Sequence, residues 1–329
     1  GAAVLRSAVS SERLHEGAAA ARHSALSTTL KLAVSVAALG IIATRVDLAG
    51  TFALLARTDW VLLCAACVVL GLQWPITTLR FALLSRKAGA ALSTSQALRI
   101  QLASLLMSQA VPTVGGDAWR TVALQRSGLA LTRAIGVAIT DRYFALLALA
   151  SIVLAGQPWL HDSLDASPGL AAVRAGLGLV LIALCAVVVS DRVLPKSDHR
   201  LLTALASFGP TLRDALVDAR VAPLALSASL AAHLITVAVV ALLARALQLE
   251  LSVAHAVLLV PPIVLLSALP ISLAGWGVRE GGSIALFSMA GMPASGAVAV
   301  SMLLGVLQLL VSLPGAVAIV VERRRASEP

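Results

Sequence analysis

The sequence predicts an all-α integral membrane protein, with about six transmembrane helices plus two re-entrant broken-helix hairpins in an inverted-repeat arrangement. Three observations lead there. Of 329 residues, 59% are hydrophobic and only 12% charged, where an ordinary soluble domain carries about a quarter charged residues. The apolar residues come in long blocks such as Leu30–Thr44, Trp60–Gln73 and Leu170–Ser190. Such blocks approach the roughly 20 residues a helix needs to cross about 30 Å of hydrocarbon. Two further blocks are cut short by Pro and Gly beside charged residues. A transmembrane barrel is excluded, because it shows alternating segments and aromatic girdles, whereas aromatics here are 3%.

Residues 1–27 are mixed and charged, without the apolar core of a cleaved signal peptide, and are expected in the cytoplasm. The first membrane repeat, 28–156, holds spans over 28–46 and 59–84, a hairpin over 96–127 and a span over 133–156. Residues 157–169 form an extracytoplasmic loop. The second repeat, 170–321, holds spans over 170–190, 221–247 and 294–321, with a hairpin over 254–291. Between its first two spans, segment 195–220 mixes Leu201, Leu205, Phe208 and Leu212 with charges and reads as an interfacial helix. Residues 322–329 form a basic cytoplasmic tail.

The hairpins follow from length. Their apolar first arms, Ala97–Val111 and Ala254–Leu269, reach roughly 22–25 Å at 1.5 Å per residue, short of a crossing. Irregular backbone at membrane depth is tolerated only where it is buried in protein or faces an aqueous cavity. Loop charges set the orientation. Arg80, Arg86 and Lys87 follow the second span, Arg192 through Arg220 follow the fourth, and Arg323, Arg324 and Arg325 follow the last. The positive-inside rule then places both termini in the cytoplasm. Each repeat crosses an odd number of times, so the halves are inverted.

The net charge of +9 has no basic groove interleaved with aromatics, so a nucleic-acid partner is not expected. Cys64, Cys67 and Cys185 lie in apolar blocks; Cys64 and Cys67 make a C-x-x-C that lacks a nearby His or second pair. They read as packing residues, and no metal or cofactor is expected.

The two breaks resemble each other. One runs from Ser108 through Pro112, Gly115, Gly116, Asp117 and Trp119 to Arg120. The other runs from Ser267 through Pro270, Gly275, Trp276, Gly277, Arg279 and Glu280 to Gly282, about 158 residues later. Interrupted helices in matched positions of inverted repeats point to a transporter's binding site. Proline stops each first arm, and glycine permits tight turns and close approach to a ligand. The second arms present unpaired N–H groups to an anion. Arg120 and Arg279 add guanidinium forks suited to phosphate oxygens; salt bridges to Asp117 and Glu280 are the competing use of the same groups. Asp141 and Arg142 lie about two turns inside the third span, where charges mark a pathway or a paired site. The six ionisable residues sum to zero, a neutral network whose carboxylates a headgroup would replace. Gln73-Trp74-Pro75 kinks the second span, and Gln101, Gln109 and Gln308 either line a cavity or bond between helices. His233, mid-span, reads as a hydrogen-bonded packing residue rather than a proton relay.

At these motifs the chain resembles the flippase-like family of the lysylphosphatidylglycerol synthase transmembrane region, over roughly residues 28–321. The resemblance rests on Pro112 through Arg120, Asp141-Arg142, and Pro270 through Gly281. It implies lipid translocation, with a phospholipid, an aminoacyl-phospholipid or a polyprenyl-phosphate-linked sugar as cargo. The full-length synthases add a soluble aminoacyl-transferase domain, which this chain is expected to lack. With no nucleophile–base pair in sight, the protein is expected not to be an enzyme. The leading expectation is a flippase of a prokaryotic plasma membrane; a non-transporting lipid-binding partner of a membrane synthase is its rival.

Overall fold

The computed structural model describes residues 29–30, 32–110, 115–164, 168–193, 200–268 and 275–327, and its regular structure among these is helical throughout. The helices are α1 (Leu32–Arg45) and α2 (Leu48–Ala56), bent 91° from each other, then α3 (Trp60–Gly71) and α4 (Gln73–Lys87). Next come α5 (Thr94–Ala110), α6 (Gly115–Arg126), α7 (Leu131–Leu164), α8 (Pro168–Val193) and α9 (Arg200–Val217). The last five are α10 (Val221–Ala246), α11 (Val253–Ala268), α12 (Val278–Phe287), α13 (Ala294–Ser312) and α14 (Pro314–Ser327).

Four stretches among the described residues are long and apolar enough to cross a membrane: Trp60–Lys87, Leu131–Gly156, Val221–Ala246 and Ala294–Glu322. A fifth is reached if the bent α1–α2 pair is one broken span. Within α8 the stretch that counts among the described residues is Arg174–Ala186, so a sixth span is not established there. The expected first span, 28–46, coincides with α1, and the 91° bend falls just after it, where α2 fills the expected loop. Asp47 stands at the bend and accepts the Gly50 N–H at 2.9 Å, starting a new helix there. Asp59 caps α3 in the same way, through the Val61 and Leu62 N–H groups. These two carboxylates act as helix caps, a use that loop-charge counting does not see.

The Gln73-Trp74-Pro75 break appears where expected: α3 ends at Gly71 and α4 restarts at Gln73. Helix α7 runs on to Leu164, taking most of the expected loop 157–169; residues 165–167 lie outside the described residues. Each segment expected to form a hairpin holds a pair of helices in contact, α5 with α6 and α11 with α12. Pro112 and Pro270 lie outside the described residues; α5 is described as far as Ala110 and α11 as far as Ala268. Helix α9 fills the expected interfacial segment, yet packs on α7, α8 and α10. Its Leu212 and Ala215 are buried, so it is partly a core element.

The two halves pack in corresponding ways. Helix α5 lies against α4, α6 and α14, while α11 lies against α10, α12 and α7. Helix α6 also touches α7, as α12 touches α13. Thus α5 rests on the span that ends in α14, and α11 on α7. Helix α10 is the hub, touching α3, α4, α7, α9, α11 and α13. Its first turns, Val221 and Ala225, join an apolar core with Phe81, Leu124 and Phe144. Its last turns, Val237 to Leu247, join a second core with Leu259, Phe287 and Leu304. Between the two cores α10 presents Ser229, His233 and Thr236, and there the site lies.

Candidate functional site

Between the cores is a cavity of about 310 Å3 lined from α4, α5, α6, α7, α10, α11, α12 and α13. Four arginines reach it: Arg80, Arg120, Arg142 and Arg279. Gln73, Gln101, Gln308, His233, Ser283 and Ser301 add neutral polar groups.

On one side Asp141 is the anchor. It is 3% exposed and holds two guanidiniums. Arg80 donates from Nε at 2.7 Å and from Nη2 at 3.0 Å, a bidentate fork; Arg120 donates from Nη1 at 2.9 Å. Such charge-assisted forks fix geometry as well as charge. Serines complete the shell. Arg80 donates to Ser229 Oγ at 2.8 Å and Arg120 to Ser104 Oγ at 2.7 Å. Each serine passes its own proton to a backbone carbonyl, of Ala225 and Gly116 respectively. Gly116 is needed here for close approach: a Cβ would run into Ser108 Oγ, and the Ser104 carbonyl lies at 2.7 Å from that position. The Arg120 guanidinium also sits 5.7 Å from the Phe81 ring centroid.

The other side is built on α12 and α13. Glu280 is 1% exposed and accepts from Arg279 Nη2 at 2.8 Å and from Ser301 Oγ at 2.9 Å. Its second oxygen accepts the Gly277 N–H at 2.6 Å. Gly277 has φ +86, a conformation that strains residues with a Cβ, and it is the N-cap of α12. Arg279 reaches on to Gln308 Oε1 at 3.2 Å and stacks on Trp276, 4.7 Å from its ring centroid. Gly305 on α13 leaves room for that stack, since a Cβ there would meet Arg279 Nη2 and the Trp276 ring.

Several expectations change. The positive end of α12 does not await a phosphate, because the Glu280 carboxylate already occupies it, and Asp117 stands in the first turn of α6. Arg279 does pair within its hairpin, to Glu280; Arg120 pairs chiefly across to Asp141, with Asp117 only at 4.0 Å. The six residues do not form one network: Arg120, Asp141, Asp117 and Arg142 stand on one side and Arg279 with Glu280 on the other. Asp117 binds Arg142 at 3.0 Å at the cavity edge. Gly115 opens α6 outside the cavity lining, and Gly275 (φ +82) precedes α12, its carbonyl accepting the Arg279 N–H. Trp119 is absent from the lining; it packs against the cluster of Ala103, Ala318 and Ile319 beside α14. Gln101 and Gln308 line the cavity, whereas Gln109 does not. His233 both lines it and bonds the Ala145 carbonyl at 3.1 Å.

The largest addition is Arg80. Counting it as a loop charge overlooked its position seven residues before the end of α4, flanked by Leu79 and Phe81. An ionisable residue inside a span was the available signal. With it the charges become four guanidiniums against the carboxylates of Asp117, Asp141 and Glu280, one positive charge in excess.

Arg142 is the link to a second space. Its side chain is 52% exposed, and it lines both the cavity and a groove of about 570 Å3 between α6, α7 and α8. Apart from Asp117 and a few polar residues, that groove is apolar, with Val122, Leu131, Ile135, Ile139, Leu146 and Leu184 on its walls. Leu146 also borders a further apolar pocket between α7, α8, α11 and α12. A cationic cavity therefore adjoins an apolar surface at one arginine.

A comparison with curated proteins returned no match. The chain matches the model of the family described as the lysylphosphatidylglycerol synthase TM region over residues 28–315. With the helical architecture and most of its length matched, this membrane protein belongs to that family, whose name ties it to lipid handling.

Proposed function

We propose that the protein is a flippase that carries a phosphate-bearing lipid across a prokaryotic plasma membrane, without chemistry on its cargo. The observation that carries this reading is the junction at Arg142. A cavity lined by four guanidiniums meets an apolar groove there, and a lipid needs both surfaces within the length of one molecule. The headgroup phosphate enters the cavity, where arginine forks match its oxygens, while acyl chains follow the groove. The matched packing of α5 and α11 supports an inverted repeat whose re-entrant hairpins close the cavity from opposite sides. Basic residues near the end of α4, around α9 and after α13 support cytoplasmic termini.

The test is reconstitution of the purified protein into vesicles with acyl-labelled phosphatidylglycerol or polyprenyl phosphate, followed by chemical quenching of the outer leaflet. Protein-dependent quenching of inner-leaflet label is the expected result. Lipid that binds but never changes leaflet would replace this reading with a lipid-holding partner of a membrane synthase.

A further inference from the structure

We infer that the headgroup admitted to this cavity is an anionic phosphate ester bearing hydroxyls and no amine, so that an aminoacylated lipid is rejected. The inference rests on the lipid-carrying reading above and names its cargo class. It starts from which charges face the cavity. Arg80, Arg120, Arg142 and Arg279 all line it, and among the described residues no carboxylate does. Asp141 and Glu280 stand behind their arginines, 3% and 1% exposed, with their oxygens bonded to guanidinium, hydroxyl or backbone N–H. Asp117 lies outside that lining, at the cavity edge, where it pairs with Arg142; inside the cavity an incoming ammonium finds only like charge. A phosphate finds cations whose fork geometry suits it and one charge to neutralise.

The neutral groups extend the match. Gln101 is 2% exposed, lines the cavity, and its Oε1 has no hydrogen-bond partner. A buried acceptor left unmade is costly, and a headgroup hydroxyl supplies the missing donor. Ser283 and Ser301 stand on the opposite wall, from α12 and α13. Glycerol, or a sugar on a polyprenyl phosphate, carries hydroxyls of this kind; both share the anionic, amine-free chemistry.

The experiment compares acyl-labelled phosphatidylglycerol, its lysyl ester, phosphatidylethanolamine and a polyprenyl-phosphate-linked sugar in one vesicle preparation. Lipid binding to the detergent-solubilised protein is measured in parallel. The expected result is movement and binding of phosphatidylglycerol or the polyprenyl lipid at least about tenfold faster and tighter than of the lysyl ester, a like-charge penalty in a poorly screened interior. Which of the two moves identifies the source of the phosphate. Gln101→Glu, which places a carboxylate in the lining, is expected to narrow the gap. A lysyl ester moved as fast as phosphatidylglycerol overturns the inference and leaves the carrier reading standing. No movement of any lipid, with phosphatidylglycerol still bound preferentially, overturns the carrier reading and keeps the headgroup assignment. No movement and no preference overturns both.

Discussion

Arg80 on α4 and Asp141 on α7 are joined by a two-point ion pair buried at the centre of the helix bundle, with Nε 2.7 Å and Nη2 3.0 Å from the carboxylate oxygens. Arg120 from α6 binds the same carboxylate at 2.9 Å. One acidic side chain thus holds three helices and aims two guanidiniums at the cavity.

Asp141→Ala is expected to destabilise the protein by about 3–5 kcal/mol, because two buried guanidiniums lose their counter-ion. Arg80→Ala should cost less, since Arg120 still neutralises Asp141. Thermal unfolding in detergent, comparing the two variants, checks the order; equal losses would contradict a shared carboxylate.

Arg279→Lys keeps the charge but loses the fork to Glu280 and Ser301 and the stack on Trp276. Lipid movement is expected to fall about tenfold or more while folding survives, because an ammonium is a point donor and not a planar fork. Trp276→Leu removes only the stack and should cost about 0.5–2 kcal/mol. Flipping rates and unfolding temperatures of both variants provide the check.

Gly305→Ala places a methyl group against Arg279 and Trp276. The forced shift is expected to cost about 1–3 kcal/mol, the usual range for overpacking, and to slow lipid movement. Gly178→Ala on α8 meets nothing within 4 Å and serves as the silent control. A Gly305→Ala protein as stable and active as that control would mean the arginine position is not set by this contact.

Arg142→Leu removes the cation at the junction of cavity and groove. Its only ion-pair partner among the described residues is Asp117, and the side chain is half-exposed, so stability should change by less than about 1 kcal/mol. Lipid movement should fall sharply. Unchanged movement would detach the groove from the path.

Lys87 at the end of α4 donates to Asp218, just before α10, at 2.6 Å. That bond, with the N–H groups of Arg220 and Val221, holds the Asp218 carboxyl at about 2, below its ordinary 3.8. A depressed carboxylate adds stability that is complete above pH 3.8 and disappears as pH falls through about 2. Unfolding temperatures across this window should drop more for wild type than for Asp218→Asn.

Hydropathy alone carried the helical membrane class, because a span must satisfy its backbone internally and hide it behind apolar side chains. The two contacting helix pairs, α5 with α6 and α11 with α12, fall where arm length and the Pro and Gly after each arm put the expected breaks. Arg120, Arg279, Asp141 and Glu280 were legible as charges in apolar or broken segments. The bridge of Glu280 to its neighbour Arg279 was legible as the competing use of that pair; the partners of Asp141, 61 and 21 positions away, were not. Arg80 looked like a loop charge because it precedes Arg86 and Lys87; only the packing of α4 against α7 and α10 turns it inward.

Composition and hydrophobic pattern, being local properties of the chain, set the class, the breaks and most of the charged cast. Which charges face the cavity and which stand behind them depends on contacts between distant helices. Asp141 and Glu280 withdraw because a buried carboxylate must be surrounded by donors. The arginines, with five donors each, can satisfy those carboxylates and still line the cavity. That division of roles, a cationic wall on a concealed acidic frame, arose from the folded arrangement of helices that are remote in the chain.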